Sequence, residues 1–344
     1  MLLRQGILPA ILLCLLLFTS CKHKDLLYED NSLIEVHLNF NYDVTTHSPE
    51  AMRVFFYPSE TNAQPFKFDV SGTGGYIRLP QGTYNVLAYN VDTENVIEVE
   101  SDYWDTFMLT TPGEDVEEEE VTNEESSTRM IFRTVLGNKL PKGEHEATFR
   151  YHDAPEWTCV ARAYQVEVPL KKEHEDVSTD NTNKNAILTL TPEPVVYTVN
   201  VTINGVEGLS RVATARGTLS GVSAGMYPGL GHSSSEACFV LFNTRVSQAN
   251  GVITGQFYVW DPRPFGDEDT HQYLNVYIWA NSGNFYVSAD ITEQIKEAAK
   301  VGKTDATIDL SLTTEMDLTQ GATGDSGFEP SVNNWEQVHQ GIQM

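Results

Sequence analysis

The stretch LIEVHLNFNY, residues 33–42, sets Ile34, Val36, Leu38, Phe40 and Tyr42 on one face and Glu35, His37, Asn39 and Asn41 on the other. Successive side chains of extended backbone point to opposite sides. A period of two with one apolar face therefore describes a half-buried antiparallel strand. AMRVFFYP (51–58) repeats the period through Met52, Val54 and Phe56. SGTGGYIRLPQGTYNVLAYN (71–90) reads as strand, turn and strand, the turn set by Pro80-Gln81-Gly82. Further strands are predicted near 94–100, 147–151, 158–168 and 186–191.

A second series starts after Pro192-Glu193-Pro194. Val195, Tyr197, Val199, Val201 and Ile203 alternate, and Asn204-Gly205 turns the chain. Strands near 212–220, 236–243, 251–260, 273–280, 284–288 and 306–313 follow. One segment is helical, DITEQIKEAAKVG (290–302). Asp290 can cap it with Glu293 three residues on, Ile291, Ile295 and Ala298 share a face, and Gly302 ends it. Short strands broken by Gly, Pro and Asn turns imply sandwiches rather than a doubly wound sheet. The expected architecture is all-β, with β-sandwich domains over 21–193 and 194–318, one short helix, and a tail, 319–344, able to add a strand.

The first twenty residues carry an address. Ile7 to Phe18 is apolar apart from Pro9, with Arg4 ahead and Thr19-Ser20-Cys21 behind. A spanning helix needs about 20 apolar residues. A basic start, a short apolar region and small residues at its end describe a secretory signal, predicted over 1–20. Leu17-Phe18-Thr19-Ser20-Cys21 resembles a bacterial lipobox, with Phe18 where an aliphatic residue is usual. That resemblance implies lipid on the Cys21 sulfur. A single acyl chain binds a membrane only marginally, so a stable anchor needs more than one, and a multiply acylated cysteine supplies it.

A net charge of −26 repels nucleic acid and anionic lipid, so neither is an expected partner. Beyond Cys14 and Cys21 the chain holds Cys159 and Cys238, each in an apolar strand-like run without a CxxC neighbour. They can pair in an oxidising compartment or stay as buried thiols.

Motifs for chemistry are absent. EDVEEEEVTNEE (114–125) lacks the spacing and central glycine of an EF-hand and reads as a self-repelling solvated loop. GTGG (72–75) is followed by strand-like residues rather than a helix start, so it is a turn and not a phosphate cradle. HExxH is missing, and His145, His152 and His174 read as structural. No GxSxG or Ser-x-x-Lys nucleophile occurs. The 48 carboxylates offer pairs everywhere, which singles out none for glycoside hydrolysis. Neither enzyme activity nor a cofactor or metal is expected. Trp104 and Trp260 could stack on sugar rings, although tryptophans at strand ends more often pack.

Three stretches together resemble the fimbrillin and fimbrial-anchor superfamily of Bacteroidetes, which builds or anchors type V pili. They are the lipobox at Cys21, Met52-Arg53-Val54-Phe55-Phe56-Tyr57-Pro58, and Leu79-Pro80-Gln81-Gly82-Thr83-Tyr84-Asn85-Val86-Leu87-Ala88-Tyr89-Asn90. Ala215-Arg216-Gly217-Thr218-Leu219-Ser220-Gly221 and the Asp290-Ile291-Thr292 helix start are in the same style. The resemblance implies two tandem transthyretin-like, Greek-key sandwiches that join fimbrial subunits by strand pairing. It also implies, in shaft pilins, a protease cut after an early arginine; Arg53, inside a strand-like run, reads as structural instead. The expected protein is an outer-membrane, surface-exposed lipoprotein, held by lipid on Cys21, that acts as anchor or accessory subunit of a fimbria. Phe328, Val332, Trp335, Val338 and Ile342 of the tail are the candidate partner-binding residues. The alternative is a surface lipoprotein that binds glycans.

Overall fold

The structure, a computed structural model, describes residues 33–45, 47–59, 63–114, 150–168, 186–267, 269–298, 307–319 and 335–339. In the first half the strands are β1 (Leu33–Phe40), β2 (Ala51–Pro58), β3 (Phe66–Ser71), β4 (Gly74–Pro80), β5 (Gly82–Asn90), β6 (Ile97–Val99), β7 (Met108–Thr110), β8 (Gly113–Glu114), β9 (Arg150–Asp153), β10 (Cys159–Val168), β11 (Ala186–Leu190) and β12 (Glu193–Pro194). The second half adds β13 (Tyr197–Asn204), β14 (Val212–Ser223), β15 (Gly225–Tyr227), β16 (His232–Ser233), β17 (Ala237–Ser247), β18 (Val252–Val259), β19 (Tyr273–Ala280), β20 (Gly283–Asp290), α1 (Thr292–Ala298), β21 (Thr307–Thr313) and β22 (Trp335–His339). No helix among the described residues is long and apolar enough to cross a membrane.

Two curled sheets carry the fold as two β-sandwich lobes, and they share one connection order. The first runs β11-β1-β4-β3-β2-β5-β10-β12, the second β21-β13-β18-β17-β14-β19-β20-β22. Position by position these are the same path. In each, three successive sheet strands lie side by side and the strand before them returns next to the last, a Greek-key order. In each, the opening strand also takes a parallel partner from the end of its half: β1 with β11 and β13 with β21. The fold is duplicated, although no repeat is visible in the residues themselves.

Strands also cross between the halves. β6 and β7 join β15 and β16 in a separate four-stranded sheet, with Gly225 opposite Thr110. β9 pairs in parallel with β17 and antiparallel with β8.

The alternation read from LIEVHLNF holds: Val36 and Leu38 are buried and the intervening residues are less so. In β2 the pattern has more content. Met52, Val54 and Phe56 enter the core of the first sheet, while Phe55 and Tyr57 enter a second cluster on its other side. That second cluster contains Leu87, Tyr89, Phe107, Leu109 and Val160, and from the other half Met226 and Trp260. VFFY is therefore apolar on both faces because both faces of the sheet centre are covered. Burying each such large side chain is worth about 1.5–3 kcal/mol.

Some strands escaped the sequence reading. β3, FKFDVS, has Phe68 and Val70 partly buried among exposed Lys67, Asp69 and Ser71, so a period of two is present in it. β7 is only three residues long, below the length at which periodicity carries a signal. β18 to β21 lie within a few residues of their predicted places.

The helix buries Ile295, with Ala298 packed beside it, and Ile291 just before the helix is buried in the same cluster. Asp290 accepts a hydrogen bond from the Thr292 N–H at 2.9 Å, as a capping residue should. Glu293 does not reach back; it is well exposed and pairs with Lys296 at 3.0 Å. Gly302 lies outside the described residues. Cys159 and Cys238 are free buried thiols, one in the core of each sheet. Burial pushes both thiols well above their ordinary pKa.

Candidate functional site

The predicted signal segment 1–20 and Cys21, most of the acidic stretch (115–125), His145 and His174, and the tail residues Phe328, Val332 and Ile342 lie outside the described residues. Trp335 and Val338 lie on β22, which pairs in parallel with β20, Trp335 opposite Asn284 and Val338 opposite Val287. β22 thus takes the last place in the second sheet. The same place in the first sheet belongs to β12, and β12 is only Glu193 and Pro194, opposite Val160 and Cys159. Proline offers no N–H to extend the ladder. Among the described residues nothing pairs with β10 on that side from Ala161 to Val168. A bulge lies there, between Ala163 and Val166. Gln165 adopts φ 53° within it, and its N–H donates to Asn85 Oδ1 at 3.2 Å.

Arg53 is structural. Its guanidinium donates to both oxygens of Asp69, at 2.6 and 2.8 Å, and to Glu98 at 2.8 Å. β2 itself lies between β3 and β5. Glu98 also accepts from Lys67 at 2.7 Å and from the Tyr89 hydroxyl.

GTGG forms the hairpin between β3 and β4. A side chain on Gly72 would come within 1.7 Å of the Pro49 carbonyl oxygen, and Gly74 adopts φ 105° against Leu38. Backbone packing explains both glycines. His152 is buried, with Nδ1 3.0 Å from the Thr111 carbonyl oxygen, and burial lowers its pKa, keeping it neutral at pH 7. No group of three or more His, Cys, Asp or Glu able to hold a metal occurs among the described residues.

Neither tryptophan singled out from the sequence offers an open ring. Trp260 is buried in the shared cluster. Trp104 is half-buried, edge-on to Tyr57 at 5.5 Å and to Tyr164 at 5.4 Å. Trp104 also closes on the β15–β16 hairpin, where a side chain on Gly229 would lie 2.4 Å from its carbonyl oxygen. Arg162 Nε donates to Pro228 in the same hairpin.

A cleft of about 440 Å³ lies where the loop after β5 and the loop before β10 meet β18, lined by Asp92, Thr93, Glu156, Trp157, Gln256 and Tyr258 among others. Its carboxylates are held in place. Asp92 accepts from Asn90 Nδ2 at 2.8 Å and from the Glu50 N–H at 2.9 Å. Glu156 accepts through one oxygen from the backbone N–H groups of Glu94 and Asn95. Asn90 is fully buried and also receives the Cys159 N–H at 2.8 Å, so the asparagine ending the AYN run is the post on which this loop turns. Across the cleft, Gln256 Nε2 donates to Asn200 at 2.9 Å, and Asn200 donates to Asp309 at 2.9 Å. Trp157 and Gln256 carried no local signal in the sequence: one precedes a strand, the other is one polar residue in an alternating run.

Comparison with known proteins adds four findings. A family model described as a domain of unknown function (DUF5119) matches residues 20–243. A Bacteroides ovatus protein described as "Putative fimbrium anchoring subunit Fim4B" is 35% identical over 94 residues, 27% of this chain; the match spans only 28% of that relative's length. A solved Bacteroides ovatus structure described as a putative adhesin superposes with a TM-score of 0.55 at 18% identity, over 82% of this chain and 94% of its own. At that identity it shows a common fold. The fimbrial anchor protein Mfa2 of Porphyromonas gingivalis aligns over 82% of this chain and 90% of its own at 10% identity, with a TM-score of only 0.46.

Proposed function

From the premise that this chain belongs to the family described as a domain of unknown function (DUF5119), we propose that it is an anchor or accessory subunit of a type V fimbria. It sits at the cell envelope, held to the outer membrane by lipid on Cys21, and meets other fimbrial subunits through backbone strand pairing. The fimbrial description of the Bacteroides ovatus relative supports the setting. The observation that carries the strand-pairing part is the duplicated sheet order. The place beyond β20 is taken by a strand of the tail, whereas among the described residues the matching place beyond β10 is filled for only two residues. An extended segment from a neighbouring subunit can add there, its main chain giving affinity and its alternate side chains giving register. Equally, the tail leaving β20 would open the second place and free Trp335 and Val338 to pair elsewhere. A chain lacking residues 325–344 should lose capture of fimbrial subunits in a pull-down from envelope extracts. Undiminished capture removes the tail from the interface.

A further inference from the structure

We propose that the cleft between the Asp92–Asn95 loop, the Glu156–Trp157 turn and β18 is a binding site for an uncharged saccharide. Its volume, about 440 Å³, lies in the range of small-molecule sites, about 300–1,000 Å³. The balance of its polar groups selects the ligand. Asp92, the second oxygen of Glu156 and the amide oxygen of Gln256 accept hydrogen bonds, while Thr93 and Tyr258 bring only hydroxyls. Among the described residues no lysine or arginine lines the cleft, and the one histidine beside it, His47, lies stacked against Trp157 at 4.8 Å. A surface so rich in acceptors takes a ligand rich in donors, which the hydroxyls of a sugar are. Phosphate, sulfate and uronic or sialic acids bring negative charge toward two carboxylates with nothing to offset it.

Apolar surface is present in the same space. The half-buried Tyr258 ring lines it together with Ala154 and Pro155, whereas Phe257 is turned into the core against Phe242 and Trp157 is stacked on His47. The C–H face of a pyranose thus has the Tyr258 ring to lie on while its hydroxyls turn to the carboxylates. Pre-organisation adds to this. Asp92 and Glu156 are each fixed by backbone N–H groups, and Gln256 is tied into the ladder through Asn200 to Asp309. Little side-chain freedom then remains for the ligand to remove. A free ammonium group would also suit two carboxylates, but it would bind by charge and so weaken steeply with salt, whereas a neutral sugar would not.

The test is a glycan array probed with the full chain in detergent at low and high salt, followed by calorimetry on hits. Neutral oligosaccharides should bind with little salt dependence, and acidic ones should not. Gln256→Ala and Thr93→Val should each weaken binding by about tenfold at unchanged melting temperature, while Tyr76→Ala, at an exposed position outside the cleft lining, leaves it as it was. Because a variant can disturb its loop, hydrogen exchange with the bound glycan gives an independent reading: protection should rise over 92–95 and 154–157. An array with no neutral hit overturns the proposal. So does equal binding of acidic glycans, loss of binding at high salt, or protection that appears elsewhere.

Discussion

Arg53→Met removes one charge from the middle of β2 and keeps the apolar stem that lies along the strand. At about 2.8 Å and an effective dielectric near 20, one such ion pair attracts with about 6 kcal/mol before the cost of desolvation. Most of that does not survive as net stability. The Asp69 side chain is 57% exposed and returns to water, a loss of at most about 1 kcal/mol. Glu98 is only 16% exposed, but Lys67 stays with it at 2.7 Å. A net loss of about 2 kcal/mol is expected, between the exposed and fully buried cases. For a unit of this size that is roughly 4–8 °C in Tm. The pH dependence is the sharper signature. Hydrogen bonds from Arg53 hold the Asp69 carboxyl below its ordinary pKa. For Glu98, burial pushes upward, yet hydrogen bonds from Lys67, Tyr89 and Arg53 outweigh it and the net shift is down. A lowered folded pKa means stability present above the unfolded value, about 4, and lost as pH falls through the folded one. Urea melts should therefore show the largest gap between wild type and Arg53→Met at pH 7 and a narrowing gap below pH 4. A gap under 0.5 kcal/mol at pH 7, or one indifferent to pH, refutes the ion-pair account of Arg53.

Other outcomes follow from the same geometry. A side chain on Gly217 would fall 2.1 Å from the Phe242 ring, which stacks on Phe257 at 4.3 Å. Gly217→Ala should cost about 2–3 kcal/mol in urea melts, and Phe242→Leu in the same chain should recover part of it; strict additivity of the two losses would show that the clash is relieved another way. Cys159 and Cys238 should resist alkylation in native buffer and react fully in denaturant, since both are completely buried and their thiols are held protonated; mass spectra showing either one labelled in the folded protein count against the two separate cores. Cys21→Ala should move the protein out of the membrane fraction, and its retention there would end the lipid-anchor proposal.

What a local pattern can encode was legible. A period of two requires only that one face of a pleated strand be apolar, so β1, β2 and β13 stand out residue by residue, and Ile291, Ile295 and Ala298 mark the helix face in the same way. The Leu79-Pro80-Gln81-Gly82 turn could be read because proline and glycine restrict the backbone themselves. The burial of Phe55 and Tyr57 could not, because their covering comes from Phe107, Met226 and Trp260, residues remote in the chain.

By itself, then, the sequence determined that this is an all-strand protein with one short helix, an acidic exterior and ordinary apolar cores. Only the tertiary structure decided which strands are neighbours: that both sheets follow one path, that β7 pairs with β15 and β9 with β17, that among the described residues the last place of the first sheet holds only Glu193 and Pro194, and that Asp92, Glu156 and Gln256 face one cleft. The reason is physical. Alternation is written in side chains, whereas the hydrogen bonds joining strands are made by backbone groups identical in nearly every residue, so neighbours are chosen by the cores they jointly bury.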